Sequence, residues 1–151
     1  MTNVEIEAGL VSFFEQDHRD CDARWADVEE LLDTVDIEAA KDAWQKYDSN
    51  MRRHLAMEEE VLFPAFDARS GMAGGGPVAE MKIDHQQMIG LLDQVGEAID
   101  AGDAQRAMGI GDTLLILIQQ HNVKEEEKLY PIAESLLAGE WESLAKILSE
   151  Y

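Results

Sequence analysis

The side chains of this sequence that could do chemistry are histidines and glutamates that recur at a fixed interval. The segment His54–Glu58 is followed by two further glutamates, and 67 positions later His121–Glu125 is followed by two more. The same offset carries the dipeptide Asp17-His18 onto Asp84-His85. All four histidines of the chain therefore belong to one pattern, His-x35-His-x3-Glu, which is present twice. A repeat of this length is typical of duplicated supersecondary units that bury one another's faces.

Six side chains of this repeat are predicted to be metal ligands: His18, His54, Glu58, His85, His121 and Glu125. Each lies on the apolar stripe of a predicted helix, and a His at i with a Glu at i+4 project from one face. A buried glutamate without a partner costs several kcal/mol, so a carboxylate there needs a cation or a shifted pKa. The alternative is that the histidines are ordinary hydrogen-bonded core residues. It would explain a single buried histidine, but it does not explain why all six inward-facing polar side chains are of types that bind metal. Mixed imidazole and carboxylate ligation suits iron, zinc or manganese and excludes an all-oxygen calcium cage.

The number of candidate ligands predicts two metal ions rather than one. Six side chains are too many for one ion, and the repeat indicates two equivalent positions. We expect His18 with His54, and His85 with His121, to be the terminal nitrogen ligands, with both glutamates bridging the ions. The protein would then fill about eight of roughly twelve octahedral positions, leaving room for an oxo or hydroxo bridge and a small ligand. A closed structural site would leave no free coordination position.

The elements that must position these ligands are four helices, each with apolar residues three and four positions apart. Ser12 is predicted to open the first helix in a capping box, and this helix runs to about residue 34. Asp36 and Asp103 are predicted N-caps of the second and fourth helices, and Pro77 fits the first turn of the third. Pro64 should kink or end the second helix, because proline lacks the amide hydrogen.

The helix pattern predicts an all-α fold, an up-down-up-down four-helix bundle with a short C-terminal fifth helix. We expect a single domain over residues 1–151, with half-repeats at about 12–67 and 79–137 and the fifth helix at about 140–151. Beyond the last motif, Ile132 of the fourth helix is expected to face the core of the bundle.

Charge and composition narrow the classes of partner. A net charge of −20 at pH 7 repels phosphate backbones and anionic membranes, so no nucleic-acid or membrane partner is expected. The longest apolar run, Leu114–Ile118, is far too short to cross a bilayer. Residues 1–7 have neither a basic cluster nor a long apolar run, and the single cysteine excludes an intrachain disulfide. We therefore expect a cytoplasmic protein.

Three further residues are candidates for the surroundings of the metal. Cys21 follows the first ligand histidine by one turn, and it either packs in the core or acts near the metal. Tyr47 precedes the second histidine by two turns, and it is a core tyrosine, a hydrogen-bonding partner of the site or a direct ligand of the metal. Four glutamates that follow the predicted ligands are expected to be solvated, and of these Glu126 is the best-placed substitute ligand; they are Glu59, Glu60, Glu126 and Glu127.

From about residue 12 to residue 137 the chain resembles the hemerythrin-like, HHE cation-binding family. The motifs that carry the resemblance are His18, His54-x3-Glu58 running into Glu-Glu-Val-Leu-Phe-Pro, His85, and His121-x3-Glu125 running into Leu-Tyr-Pro. The resemblance implies a four-helix bundle that holds a non-haem di-iron centre. The chain departs from oxygen-carrying hemerythrins at Ile89, where they have a histidine, and at Glu126, where they have an aspartate. The four-His, two-Glu set is instead similar to that of bacterial di-iron proteins that repair iron–sulfur clusters after nitric oxide or peroxide stress.

Three functions are compatible with these expectations. The first is a di-iron protein that binds, senses or reduces a small oxidant, namely oxygen, peroxide or nitric oxide. The second is an iron-sensing, iron-storage or iron–sulfur repair module without oxidant chemistry of its own, which a protein partner or a second copy of the chain would read. The third is a zinc-stabilised structural bundle. Enzymatic activity is left open by the sequence.

Overall fold

The computed structural model describes residues 8–151 as five helices joined by short turns. Their bounds are Leu10–Asp33 for α1; Ile37–Met57, Glu58–Leu62 and Phe63–Ser70 for α2; Gly76–Asp100 for α3; Ala104–Lys124, Glu125–Leu129 and Tyr130–Leu136 for α4; and Trp141–Leu148 for α5. The middle segments of α2 and α4 are π-helical turns.

Residues 8–151 contain no β-strand. Within that range, no helix combines the length and the hydropathy that a membrane span requires. Residues 1–7, whose composition contributed to the expectation of a cytoplasmic protein, lie outside the described residues.

The starts of the helices agree with the sequence prediction at three of four positions. Asp36 accepts a hydrogen bond from the amide of Ala39 at 3.2 Å, and Asp103 caps α4 in the same way. Pro77 lies in the first turn of α3. The capping box of Ser12 is wrong: α1 begins at Leu10, and its N-cap residue is Gly9, which has no side chain to cap the helix.

The first turn of α1 is held by a side chain of α4. The amide of Val11 donates to Glu134 Oε1 of α4 at 3.3 Å. A carboxylate at a helix N-terminus satisfies a free amide and interacts favourably with the helix dipole. This contact between distant parts of the chain explains why a local motif did not predict where α1 starts.

Along each of the four long helices, buried polar residues separate two apolar clusters. We call one the tryptophan cluster, which includes Trp25 and Trp44, and the other the phenylalanine cluster, which includes Phe14 and Phe63. The phenylalanine cluster comes first along α1 and α3, and the tryptophan cluster comes first along α2 and α4. Successive helices therefore run in opposite directions, which confirms the predicted up-down-up-down bundle. Leu148 of α5 packs in the phenylalanine cluster, so the fifth helix covers that end.

The two π-helical turns occupy equivalent places in the repeat and shift the register of the residues after them. Pro64 lies in the first turn of the resumed α-helical segment, where its missing amide hydrogen is tolerated, and α2 continues to Ser70 instead of ending there. In α4 the same turn brings Ala133 into the core and leaves Ile132 49% exposed, so the prediction for Ile132 is wrong. A π turn adds a residue to one turn of helix, and the α-helical period does not anticipate it.

Candidate metal centre

The buried polar layer between the two apolar clusters contains all six predicted ligands. Each of the four long helices contributes at least one of them, and none is more than 4% exposed. In chain order they are His18 of α1, His54 and Glu58 of α2, His85 of α3, and His121 and Glu125 of α4. The π turns of α2 and α4 begin at the two glutamates.

The four imidazole rings meet in two pairs through their Nε2 atoms. The two Nε2 atoms are 3.1 Å apart in the pair His18 and His54, and 3.2 Å apart in the pair His85 and His121. In each pair one ring comes from an odd-numbered helix and the other from the next helix along the chain. The repeat thus gives the site an approximate twofold symmetry.

Each glutamate contacts both histidine pairs. Glu58 Oε1 lies 3.2 Å from His54 Nε2 on its own helix and 3.3 Å from His85 Nε2 of the other pair. Glu125 Oε1 is arranged in the same way, 3.1 Å from Nε2 of the α4 histidine and 3.2 Å from Nε2 of the α1 histidine. The two carboxylates therefore lie between the pairs and connect them.

Carboxylates behind the rings orient the histidines. His54 Nδ1–H donates to Asp17 Oδ2 at 2.7 Å, and His121 Nδ1–H donates to Asp84 Oδ2 at 2.9 Å. A ring that donates through Nδ1 keeps its lone pair on Nε2, the atom that faces the centre of the site. Neither aspartate was predicted to belong to the site, although each directly precedes a candidate ligand histidine in its own copy of the repeat.

The other two histidines also have a carboxylate near Nδ1. His85 Nδ1–H donates to Glu59 Oε2 at 3.0 Å, which corrects the prediction that Glu59 is merely solvated. Its repeat equivalent, Glu126, has its Oε1 atom 3.8 Å from His18 Nδ1, which is beyond hydrogen-bonding distance. Glu126 thus lies beside the site on the outer side of the ring.

The charges of the site raise the pKa of two rings, His54 and His121, and lower the pKa of one carboxylate, Glu58. Burial opposes protonation of His54, but the charge of Glu58 and the hydrogen bond to Asp17 outweigh it and hold the pKa well above its usual value. The pKa of His121 is raised to about 9, since the effect of burial is again outweighed, here by Glu125. Burial raises the pKa of Glu58, but the charge of His54 lowers it by more, so the pKa of Glu58 lies well below its usual value. The layer therefore attracts positive charge, as protons or as metal ions.

A tyrosine that the sequence analysis did not consider also reaches this layer. The Tyr130 hydroxyl lies 2.9 Å from Glu58 Oε2, 3.1 Å from Glu125 Oε1 and 3.1 Å from His18 Nε2. Burial and the two carboxylates hold the pKa of Tyr130 well above its usual value. The sequence does contain a signal that could have drawn attention to Tyr130: the two copies of the repeat differ here, since the residue equivalent to Tyr130 is Phe63.

The other two candidates, Cys21 and Tyr47, lie in the tryptophan cluster. Cys21 Sγ accepts a hydrogen bond from Asn50 at 3.2 Å, and burial raises the pKa of this thiol to about 11. Tyr47 packs against Trp25 and Trp44, with ring centroids 5.2 and 5.6 Å apart. Neither side chain belongs to the groups of donor atoms that, among the described residues, are close enough to share an ion.

The donor set fits metal ions. Two groups have ligand atoms within 4.8 Å of one another: His18, His54 and Glu125 form one, and Glu58, His85, His121 and Glu125 form the other. Glu58 Oε1 and Glu125 Oε2 are buried without a hydrogen-bond partner in the described structure. A buried carboxylate oxygen without a partner is costly, and a cation placed beside it removes that cost. The core thus contains His/Glu groups that could hold metal.

Comparison with known proteins identifies the family. No curated protein and no solved structure matched the chain. The family model of the hemerythrin HHE cation binding domain matches residues 9–133, which include every residue of the buried polar layer. With that match over most of its length, the chain belongs to the hemerythrin HHE cation-binding domain family.

Proposed function

We propose that this protein holds two iron ions in the buried polar layer and uses them to bind, sense or reduce a small oxidant, namely oxygen, peroxide or nitric oxide. The observation that carries the proposal is the pairing of donor atoms: two histidine pairs, each in contact with both glutamates. One ion beside each pair, with the carboxylates shared, would use all six side chains. Mixed nitrogen and oxygen donors suit iron.

The ligands are assigned in this proposal by their contacts. His18 and His54 would hold one ion, His85 and His121 the other, and both glutamates would be shared. Protein atoms would then fill about eight of roughly twelve octahedral positions, which leaves positions for a small ligand.

Iron held in this way supplies the electron-transfer chemistry by which a small oxidant is bound or reduced. The chain's own contribution is to orient the donors and to exclude water. Asp17 and Asp84 hold the imidazole tautomers, and the two apolar clusters enclose the layer from both ends. The burial of the layer selects for diatomic or peroxide-sized ligands. We place such a protein in the cytoplasm because its single cysteine cannot form an intrachain disulfide. We expect no nucleic-acid or membrane partner, because a charge of −20 repels phosphate backbones and anionic membranes.

The test is metal analysis of protein purified without added metal, followed by stopped-flow spectroscopy. We expect two iron ions per chain and a near-ultraviolet absorption of the ferric form. The reduced protein should change its spectrum on mixing with at least one of oxygen, peroxide and nitric oxide. Unchanged spectra with all three would overturn the oxidant chemistry while leaving the metal site standing.

A ligand variant tests the site independently of any reaction. Glu125→Ala should lose at least one ion and also lower the melting temperature, because forming a metal site is coupled to folding. Glu127→Ala, an exposed neighbour two positions away, is the matched control and should keep both ions. A Glu125→Ala protein that binds two ions with unchanged affinity contradicts the ligand assignment.

Two alternatives use the same geometry. In the first alternative, zinc binds to these side chains from four helices and cross-links the bundle, with no chemical function. Full occupancy by zinc without iron would favour this structural function. An iron-sensing, storage or iron–sulfur repair module would bind iron but stay unreactive with the three oxidants. A sensor should also show a marked change in protease sensitivity when iron is added.

A further inference from the structure

The approximate twofold symmetry of the polar layer is broken at one pair of residues. Phe63 and Tyr130 are 67 positions apart, and each is the first residue after a π-helical turn. Both are fully buried. The two aromatic rings therefore occupy equivalent places in the two halves of the bundle, and they differ by one hydroxyl group.

The two rings contact different halves of the site. The Phe63 ring stacks on the ring of His85, with centroids 5.6 Å apart and an interplanar angle of 24°. The Tyr130 ring lies beside His18, with centroids 5.6 Å apart, and its hydroxyl points into the layer. The half of the site with His18 and His54 thus contains a phenol oxygen that could bind a metal ion, whereas the half with His85 has a hydrocarbon ring at the equivalent place.

The surroundings of the Tyr130 hydroxyl are those of a ligand atom. Its oxygen lies within 3.1 Å of atoms from three candidate ligands, Glu58, Glu125 and His18, which come from three helices. A hydroxyl has one proton and can donate it to one of these atoms at a time. Whichever carboxylate accepts that proton, the contact with the other brings two electron-rich oxygen atoms together in a buried space, and a cation shared by them would remove that repulsion.

We propose that Tyr130 makes the two metal positions unequal, its phenol oxygen being an additional ligand of the ion held by His18 and His54. The ion held by His85 and His121 has Phe63 at the equivalent place and keeps that coordination position for a small ligand. This inference rests on the proposed metal-binding function. On metal uptake the Tyr130 proton passes to solvent and the oxygen binds as phenolate.

The inference is tested by visible absorption and resonance Raman spectroscopy of the full chain loaded with ferric iron. A phenolate bound to ferric iron gives a charge-transfer band in the visible region and enhances tyrosine ring vibrations. We expect this band in the wild-type protein. Tyr130→Phe should lose it while keeping two irons, as measured by metal analysis. Tyr47→Phe, which alters a tyrosine of the tryptophan cluster, is the control and should leave the band unchanged.

The repeat offers a reciprocal variant. Phe63→Tyr places a hydroxyl at the equivalent position in the other half and should add a second phenolate ligand, with a band of comparable strength. This gain, and the Raman signal of the wild-type protein, keep the test valid even if Tyr130→Phe folds poorly.

The possible outcomes separate this inference from the function on which it rests. Protein that holds two irons but lacks the charge-transfer band overturns the inference and leaves the metal site standing. A Tyr130→Phe protein that retains the band overturns the inference in the same way. Failure of the wild-type protein to take up iron, shown by metal analysis, overturns both.

Discussion

At the scale of single residues, the orientation of the candidate ligand histidines depends on the carboxylates behind them. Asp17 accepts from His54 and also from Arg53, which lies 2.8 Å away. Asp84 accepts from His121 and from Lys124, also at 2.8 Å. The aspartates are related by the repeat, but the cations that neutralise them come from different positions. Each half of the bundle therefore balances the buried charge in its own way.

This arrangement predicts that the aspartates control metal affinity without being ligands. Asp17→Asn should lower the affinity for the metal by about 10- to 100-fold, because a neutral amide polarises the imidazole less than a carboxylate does. Asp84→Asn should have a similar effect on the other half. Competition with a chelator of known affinity measures both changes.

The matched control for these variants is Asp93→Asn, which alters a 58%-exposed side chain that pairs with Arg52 on the surface. It should leave the affinity unchanged. Equal affinities for Asp17→Asn and the wild-type protein would show that the hydrogen bond to His54 has no influence on the metal.

At the scale of the helices, α1 and α4 approach each other closely at one glycine. A Cβ atom on Gly111 would lie only 2.4 Å from two carbon atoms of the Trp25 indole ring. An aromatic ring buried in a cluster cannot move aside without displacing its neighbours. Glycine is required here for space and not for backbone freedom.

Gly111→Ala should therefore destabilise the protein by about 1–3 kcal/mol through overpacking. Gly109→Ala is the control on the same helix, since a Cβ there meets nothing within 4 Å. That substitution should stabilise the helix by about 0.5–1 kcal/mol. Urea unfolding of the two variants gives both values, and a Gly111→Ala protein as stable as Gly109→Ala would contradict the close packing.

The turns between α1 and α2 and between α3 and α4 are also related by the repeat, and one of them is strained. Gly102 has a φ of 74°, and Val35, its equivalent in the first half, has a φ of 58°. The flanking hydrogen bonds are the same in both turns. A β-branched residue is disfavoured in this left-handed conformation, whereas glycine adopts it readily.

Val35→Gly should raise the free energy of unfolding by roughly 0.5–1 kcal/mol. The relief of roughly 1–2 kcal/mol of strain exceeds the added entropy of glycine in the unfolded chain, roughly 0.5–1 kcal/mol. Gly102→Val should lower the stability. Chemical denaturation measures the two changes, and a loss of stability in Val35→Gly would show that the Val35 side chain contributes more than its backbone strain costs.

At the scale of the whole molecule, the buried layer links stability to pH and to metal. In the metal-free protein the pKa of His121 is about 9, above its ordinary value of 6.5, and that of His54 is also raised. Groups with a raised folded-state pKa stabilise the protein fully below about pH 6.5, and this contribution is lost as the pH rises through about 9. Metal binding has the opposite dependence, because metal displaces these protons.

We therefore expect the melting temperature of the metal-free protein to fall between about pH 6.5 and pH 9, the window set by the ordinary and the raised pKa of His121. The metal-loaded protein should not show this fall, so the stabilisation by metal grows with pH. Thermal denaturation at the two pH values, with and without metal, provides the measurement. A metal-free protein that becomes more stable over this interval would mean that His54 and His121 are not held protonated by their carboxylate neighbours.

Much of this molecule was predictable because it depends on local periodicity and on the repeat. The spacing of apolar residues determined the helices and their number, and the caps at Asp36 and Asp103 were confirmed. The offset of 67 residues brought out the six candidate ligands, and the structure brings those side chains together in one layer. Their binding of iron stays a prediction. These features follow from residues close in sequence, or from the equality of two sequence copies.

Only the tertiary structure decided the features that depend on contacts between distant segments. The π turns changed the register after Glu58 and Glu125, which buried Ala133 in place of Ile132. The same register directs the Tyr130 hydroxyl to atoms of two other helices. Helical periodicity assumes 3.6 residues per turn, and one inserted residue rotates everything beyond it by about 100°. The sequence by itself thus determined which residues could bind metal, and the packing of the four helices decided what surrounds them.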